Sequence, residues 1–504
     1  MDDSRHPPLR LQILTYLFFA ATIMLFNSGR LGSYDAFGQL QAATIWAANG
    51  TLGADQPVQN TRFAWVKGPS GKFYESHDIG NVILMYLPAK IGLWIMPQGR
   101  EQQINDPSIA ARFAVSVSVV LWSALGCLFV LKTFCCFWSF RQAFLLAIAF
   151  AATTTFFPYT KSAWDVCGSC VGVAIMLYGA AKMLTSNPIP SGGYVATAIG
   201  FVAAVSFRYS TAPFLAVSLA IVAWSCRARL ERRYLALSIV IIAIGVLPSL
   251  LYNYVRMGSP LSPATTAEQY ASNLGLSGNI PKGLCGLLIS PGRGVFAFSP
   301  ICLTLFAIPF IWLEIPKAGR QLIFALGVGA GAYIVMIAKL PAWNTFGWGP
   351  RYLVPMLPIL FLPVAFAIQM FWHRAKATIV SLLLLSGILN GVAVFVNWDL
   401  ATANYQPLKA HDPSTSEWVP YQQMAVWNGL RLGLQGEPLP GGQLDDDVRK
   451  AAGRFPDLWT VRLMERSNTG KVLGIAALLA LAGTSGALLH KLLKVRWIWR
   501  VSEN

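Results

Sequence analysis

Long apolar runs, each about the length of a membrane-crossing helix, alternate along this chain with short polar or basic connections. Windows of about 20 apolar residues, enough to cross roughly 30 Å of hydrocarbon, fall at 11–28, 109–131, 142–157, 165–184, 194–207, 210–226, 234–254, 295–313, 321–338, 352–371, 377–396 and 471–489. The pattern predicts an all-α polytopic membrane protein of about twelve transmembrane helices. One further run, 79–96, is interrupted by Pro88 and Lys90 and begins beside acidic residues. It is read as an interfacial helix lying along the membrane surface. The basic residues support that reading. With 79–96 on the surface, the basic clusters near Lys132 and Arg141, at 227–233, at 317–320 and at 374–376 share one side with Arg5, Arg10, Lys491, Lys494, Arg496 and Arg500, as the positive-inside bias requires. The opposite side then carries the three longer segments, 29–108, 255–294 and 397–470. The working face is expected outside the cytoplasm, in the cell (inner) membrane, with the first helix retained because no small-residue cleavage site precedes 11–28.

Composition narrows the class. Of 504 residues, 55% are hydrophobic and 12% charged, against roughly 25% charged in soluble domains. A large water-soluble enzyme, a disordered chain and a disulfide scaffold are excluded. The 39 Lys and Arg against 22 Asp and Glu give a net charge of +17. The cytoplasmic loops account for this charge, so no nucleic-acid partner is expected. Cys127, Cys135, Cys136, Cys226 and Cys302 sit inside apolar runs and read as small hydrophobes.

The candidate chemistry lies where the apolar runs end. A charge near the bilayer centre costs at least roughly 3 kcal/mol and usually marks a transport path, yet the predicted spans are nearly free of charge. Asp35, Glu75, Asp78, Asp165, Glu268 and Asp399 cluster at span ends or in outer loops, and Arg208 stands where 194–207 meets 210–226. This arrangement points to chemistry at the outer interface. An alternating-access transporter would place polar sites at mid-depth in repeated halves. Asp35 opens an amphipathic stretch running from Phe37 to Ala48 and reads either as its N-cap or as a functional carboxylate. Residues 59–75, turning at Gly68-Pro69-Ser70-Gly71, predict a hairpin that leads into His77 and Asp78. Those two residues are read as loop capping or as an accessory functional pair. Cys167-Gly168-Ser169-Cys170 has CxxC spacing but opens a small-residue helix, which favours close helix packing. Among the outer aromatics, Trp343 and Trp348 flank the loop leading to Arg351 and are the candidates for sugar stacking.

Several stretches together carry a resemblance. They are the long first outer loop with its acidic residue after span one, Ala111-Arg112 opening the next span, and Phe157-Pro158-Tyr159 followed by Trp164-Asp165. Two more are Ser290-Pro291-Gly292-Arg293-Gly294-Val295-Phe296 with Ser299-Pro300, and Trp343 to Phe346 with Gly347-Trp348-Gly349-Pro350-Arg351-Tyr352-Leu353. They resemble the GT-C superfamily of polytopic glycosyltransferases, which includes the protein O-mannosyltransferases, the lipid A aminoarabinose transferase and the bacterial family 39-like enzymes. The likeness covers residues 11 to about 396.

The resemblance implies inverting transfer of one sugar from a polyprenyl-phosphate-sugar donor to an extracytoplasmic protein, lipid or glycan acceptor. By position, Asp35 and Asp165 would be the catalytic carboxylates, Asp35 taking the acceptor's proton. Arg351, Arg293, Arg208 and Lys161 would steady the donor phosphate. Each of these cations reads equally well as an interfacial anchor. The family's Lys-Pro-Pro stretch before the interfacial helix is replaced here by His77-Asp78-Ile79-Gly80-Asn81, which makes His77 and Asp78 its substitutes. No obligatory metal is expected; Asp35, His77, Asp78 and Asp165 are the ligands available to a divalent cation. The expected organisation is a transmembrane catalytic unit over 1–396, an outer loop or small cap over 397–470 and a last helix with cytoplasmic tail over 471–504. The reading from a different class is a flippase or transporter of lipid-linked sugars or polysaccharide.

Overall fold

The computed structural model describes residues 7–56, 58, 65–96, 99–261, 275–341, 343–344, 347–403, 418–437 and 455–495. The chain folds as a helix bundle. The first helix, α1 (Leu9–Leu25), leads to α2 (Tyr34–Asn49), a two-stranded hairpin, α3 (Ile79–Ile95) and α4 (Arg100–Asn105). The bundle continues through α5 (Ile109–Phe134), α6 (Phe140–Thr153), α7 (Phe156–Tyr159), α8 (Asp165–Thr185) and α9 (Ser191–Phe207). A tight turn, Tyr209–Thr211, opens α10 (Ala212–Ser225), followed by α11 (Arg232–Met257), α12 (Ile280–Leu288) and α13 (Val295–Phe298). Then come α14 (Ile308–Ile311), α15 (Lys317–Ala338), α16 (Leu357–Phe371), α17 (Lys376–Phe395) and α18 (Trp398–Ala403). The described chain closes with α19 (Tyr421–Leu434), α20 (Trp459–Met464) and α21 (Asn468–Leu493).

Among the described residues, seven helices are long and apolar enough to cross a membrane, namely α5, α8, α11, α15, α17, α21 and the Arg351–Phe371 helix ending in α16. The other predicted spans are also helical but shorter. The chain is thus an all-α polytopic membrane protein. The run expected at 295–313 is not one helix. After α13 it breaks at Ser299, then winds as a 3-10 helix over Pro300–Ala307 before α14, because Pro300 withholds a backbone donor at the joint.

Small residues bring the central helices together. A Cβ on Gly172 would lie 2.2 Å from the Ala204 backbone and one on Gly200 2.2 Å from Met176, so α8 and α9 pack backbone to backbone. Ser169 donates to the Ala204 carbonyl at 3.0 Å, and Cys167 and Cys170 are buried free thiols. The CxxC stretch is therefore a packing surface. Phe134, Phe144, Phe150, Phe156 and Phe361 fill the main core, and a second cluster built on Leu40, Ala43, Val82, Met85 and Val115 ties α2, α3 and α5 together.

Helix α3 runs across one end of the bundle. A Cβ on Gly80, near its start, would meet the backbone of Ser206 and Phe207 at the end of α9, and one on Gly92, near its finish, would meet Ala111 and Ser108 at the start of α5. Both of its ends thus pack against the termini of other apolar helices. The hairpin pairs β1 (Trp65–Lys67) with β2 (Phe73–Glu75) in antiparallel register, Val66 opposite Tyr74. Residues 59–64 of the expected hairpin lie outside the described residues, as does Glu268. Long-range bonds collect at the same end: Trp459 N–H donates to the Asn27 carbonyl at 2.9 Å and Asp457 N–H to the Phe395 carbonyl at 2.7 Å.

Candidate active site at one end of the bundle

Asp35 does not cap α2. Ser33 does, its hydroxyl accepting from Ala36 N–H at 3.0 Å, which leaves the Asp35 carboxylate in the first helical turn available for other partners. Its Oδ2 accepts from Arg351 at 2.9 Å and lies 3.5 Å from His77 Nε2. The other ring nitrogen of His77, Nδ1, is 2.5 Å from Oε1 of the fully buried Glu75, and Glu75 Oε2 accepts the His77 backbone N–H at 2.9 Å. Beyond Asp35, Arg351 reaches Asp165 Oδ1 at 3.7 Å, and Asp165 Oδ2 accepts from Arg208 at 2.7 Å. The result is a line of alternating sign, Glu75, His77, Asp35, Arg351, Asp165 and Arg208, drawn from the hairpin end, α2, α8, the end of α9 and the turn before α16.

The environment sets the charge states. Burial opposes ionisation of Asp35, but His77 and Arg351 outweigh it and hold the carboxyl well below the usual carboxylate range. Burial likewise opposes the His77 cation, and Glu75 and Asp35 outweigh it, pushing the imidazole well above its ordinary value. Asp78 goes the other way: its burial raises it, against the pull of Arg256 and of the Tyr209 N–H that it accepts at 2.9 Å. Asp78 thus anchors the turn after α9 beside the line of charge and is not a member of it.

Aromatic faces pin the cations. The Arg351 guanidinium lies 4.2 Å from the Trp164 ring centroid and the Arg208 guanidinium 4.6 Å from that of Tyr352. Arg256, fully buried at the end of α11, donates to the carbonyls of Glu75 at 3.1 Å and His77 at 2.6 Å and to Asn253 Oδ1 at 2.7 Å. It fixes the backbone that presents His77.

The structure therefore joins five of the expected residues, Asp35, His77, Asp165, Arg208 and Arg351, in one site. It separates the others. Lys161 turns to Asp457, which it meets at 2.9 Å and which also accepts from Arg30 at 2.8 Å and Arg462 at 2.6 Å. Trp164, stacked with Trp398 at 6.1 Å, stands between that cluster and Arg351. Arg293 donates to the Gly347 carbonyl at 2.9 Å and lies over Tyr421, where it braces the loop before Arg351. The stacking expectation is corrected for both tryptophans. Trp348 is 1% exposed, edge-on to Phe298 and donating to Asn390 at 3.2 Å, while Trp343 is buried with its ring over Gly286. Neither ring has a face left for a sugar.

Glu75, Arg256, Trp164 and Asp457 do not stand out from the sequence as site residues. The signal for Arg256 was present as a basic residue closing an otherwise apolar helix. Asp457 gave none, since it lies in a mixed-charge segment that reads as a solvated loop. Among the described residues no group of three or more His, Cys, Asp or Glu side chains is placed to hold a metal ion.

The fold and site thus define a polytopic membrane protein with a line of paired ions at one end of its bundle. No protein-family model and no curated protein matches the sequence. Among solved structures, the chain is similar to the crystal structure of ArnT from Cupriavidus metallidurans bound to undecaprenyl phosphate, at 14% identity, covering 95% of this chain and 76% of that one, with a TM-score of 0.48. It is also similar to the archaeal oligosaccharyltransferase AglB from Archaeoglobus fulgidus in complex with an inhibitory peptide and a dolichol-phosphate, at 11% identity, covering 93% and 68%, with a TM-score of 0.47.

Proposed function

We propose that the chain is an inverting membrane glycosyltransferase that moves a sugar from a polyprenyl-phosphate-sugar donor to an acceptor on the extracytoplasmic face of the cell membrane. The observation that supports it is the Asp35 carboxylate held between Arg351 and His77 at a bundle end. In the proposed reaction the donor phosphate binds Arg351 and Arg208. The acceptor hydroxyl gives its proton to Asp35 as its oxygen bonds to the anomeric carbon. The bond from that carbon to the phosphate oxygen breaks, and polyprenyl phosphate leaves with the electron pair.

Such a base must have a pKa near the working pH, which the resting Asp35 does not. A phosphate that draws Arg351 toward itself removes one of the two cations holding Asp35 down, so donor binding itself raises the basicity of the carboxylate. The departing phosphate meets positive charge already in place, supplied by two guanidinium groups pinned on aromatic rings. Asp165 holds those two guanidiniums side by side and is the positioning carboxylate of the site.

The test is transfer of radiolabelled sugar from a panel of polyprenyl-phosphate sugars in membranes carrying wild type or Asp35→Asn at matched protein level. Turnover by the wild type that collapses in the variant supports the transferase. Background signal in both across the panel moves the weight to a flippase of lipid-linked sugars.

A further inference from the structure

A groove opens on the surface of the bundle between α1 and the α6–α7 pair, lined by Thr22, Ile23, Ile148, Ala151, Phe157 and Thr160 among other residues and apolar along its walls. Ile148, Ala151 and Phe157 are half-buried there. The groove ends at Thr160, whose carbonyl accepts from Asn27 at 3.3 Å. One residue further on, Lys161 lines a second, polar cleft with Ser28, Arg30, Trp398 and Asp457. The hydroxyl of Ser28 donates to the Lys161 carbonyl at 3.4 Å, so the ends of both features are built on the same two strands of chain, 27–28 and 160–161.

The charges of the two sites differ. The Asp35 line has as many acidic as basic members among the described residues. The polar cleft is lined by two cations, Arg30 and Lys161, and one carboxylate, Asp457, which Arg462 also pairs with from outside the lining, and Arg30 Nε is buried with no hydrogen-bond partner. Burial and the neighbouring guanidiniums bring Lys161 down to about 8, against the pull of Asp457, a tension that a further anion relieves.

We propose that this groove and cleft hold the spent carrier, a polyprenyl phosphate, with its isoprenoid chain along α1 and α6 and its phosphate on Arg30 and Lys161. The inference rests on the transferase reading above. Its chemical basis is the change in charge that the reaction makes. The donor's phosphate is a diester with a single negative charge. Loss of the sugar leaves a monoester whose second ionisation lies near pH 6, giving about −1.5 to −2 charges at neutral pH. A cleft with more cations than carboxylates suits the dianion; a site of alternating sign suits the monoanion. Product is thereby drawn past the Trp164–Trp398 pair to a neighbouring site, and the Asp35 site is cleared for the next donor.

The test is equilibrium binding of radiolabelled undecaprenyl phosphate, and of its methyl diester, to the full-length protein in phosphatidylcholine nanodiscs. The wild type is expected to bind the monoester at least tenfold more tightly than the diester. Arg30→Gln, which removes a cation, and Ala151→Phe, which fills the groove, should each weaken monoester binding at least tenfold, while Arg351→Gln leaves it within about twofold. Equal binding of monoester and diester overturns the inference. So does retained binding in both Arg30→Gln and Ala151→Phe, or loss confined to Arg351→Gln, which would place the phosphate at the Asp35 site. Because the readout is binding, a wild type that turns over a donor yet shows no such site overturns this inference alone. A wild type that binds the monoester as described but transfers sugar from no donor overturns the transferase reading.

Discussion

Arg351 donates to Asp35 at 2.9 Å across 316 positions of sequence, joining the first turn of α2 to the turn that opens α16. That one contact closes the site, because Arg351 also reaches Asp165 and rests on Trp164. Replacement by Lys keeps the charge but loses the planar fork and the stacking. Arg351→Lys is expected to lower transfer by roughly 10²-fold, within the range for removal of one preorganised donor, with the protein still present at normal level in the membrane. Initial rates at matched protein level check it.

His77 gives the pH dependence a sign. Its folded pKa is raised, so the stability it contributes is complete below the ordinary imidazole value of about 6.5 and is lost as pH rises through the higher folded value. Thermal melts of the solubilised protein should therefore fall on the alkaline side of neutrality. In His77→Gln that alkaline decline should be shallower. Asp35 acts in the opposite direction: its lowered pKa contributes stability above the usual carboxylate range and loses it only under strong acid.

The Asp457 cluster predicts a large structural effect. Asp457→Asn leaves Arg30, Lys161 and Arg462 facing one another with Lys161 buried, and breaking a buried pair in this way costs roughly 3–5 kcal/mol. A reduced melting temperature and lower steady-state level are expected. Asp457→Asn combined with Lys161→Met should recover part of the loss, since it also removes a stranded charge.

Gly80 sets the height of α3 against α9. A Cβ there would stand 2.7 Å from both the Phe207 nitrogen and the Ser206 carbonyl oxygen, which backbone cannot yield cheaply. Gly80→Ala is expected to push the start of α3 away and carry His77 with it. Transfer should fall roughly tenfold or more, because misplacement of about 1 Å is costly in a positioned site. A thermal melt beside the rate measurement separates displacement from unfolding.

In the proposed reaction, positive charge at the leaving phosphate comes from Arg351 and Arg208. Dialysis of the purified protein against EDTA should accordingly leave transfer unchanged, and readdition of Mg²⁺ or Mn²⁺ should not stimulate it. A loss restored by either ion would assign the phosphate to a metal.

Much of this architecture is legible in the sequence because the bilayer imposes a length on every apolar run. The helical character of most spans and the collection of Asp35, Asp165, Arg208 and Arg351 at one end follow from hydropathy and from where the basic loops fall. What the sequence does not carry is the pairing of residues within that end. Ser33 and Asp35 are both good helix caps, and only packing decides that the serine takes the role. Lys161 and Arg208 are equivalent as cations beside apolar runs, yet a carboxylate 296 positions away claims the first and Asp165 the second. Trp343 and Trp348 carry the signature of an interfacial belt, but the glycines around them let the helices close over both rings. Pro300 marks a break in the 295–313 run that a hydropathy window averages away.

The central claim is that Asp35 takes the acceptor's proton. The most direct measurement is single-turnover transfer of sugar from the best donor in the panel, comparing wild type with Asp35→Asn after donor binding has been confirmed for both. Loss of the chemical step by roughly 10³-fold or more with donor still bound is the predicted result. Transfer by Asp35→Asn at a rate within a few-fold of wild type would contradict it.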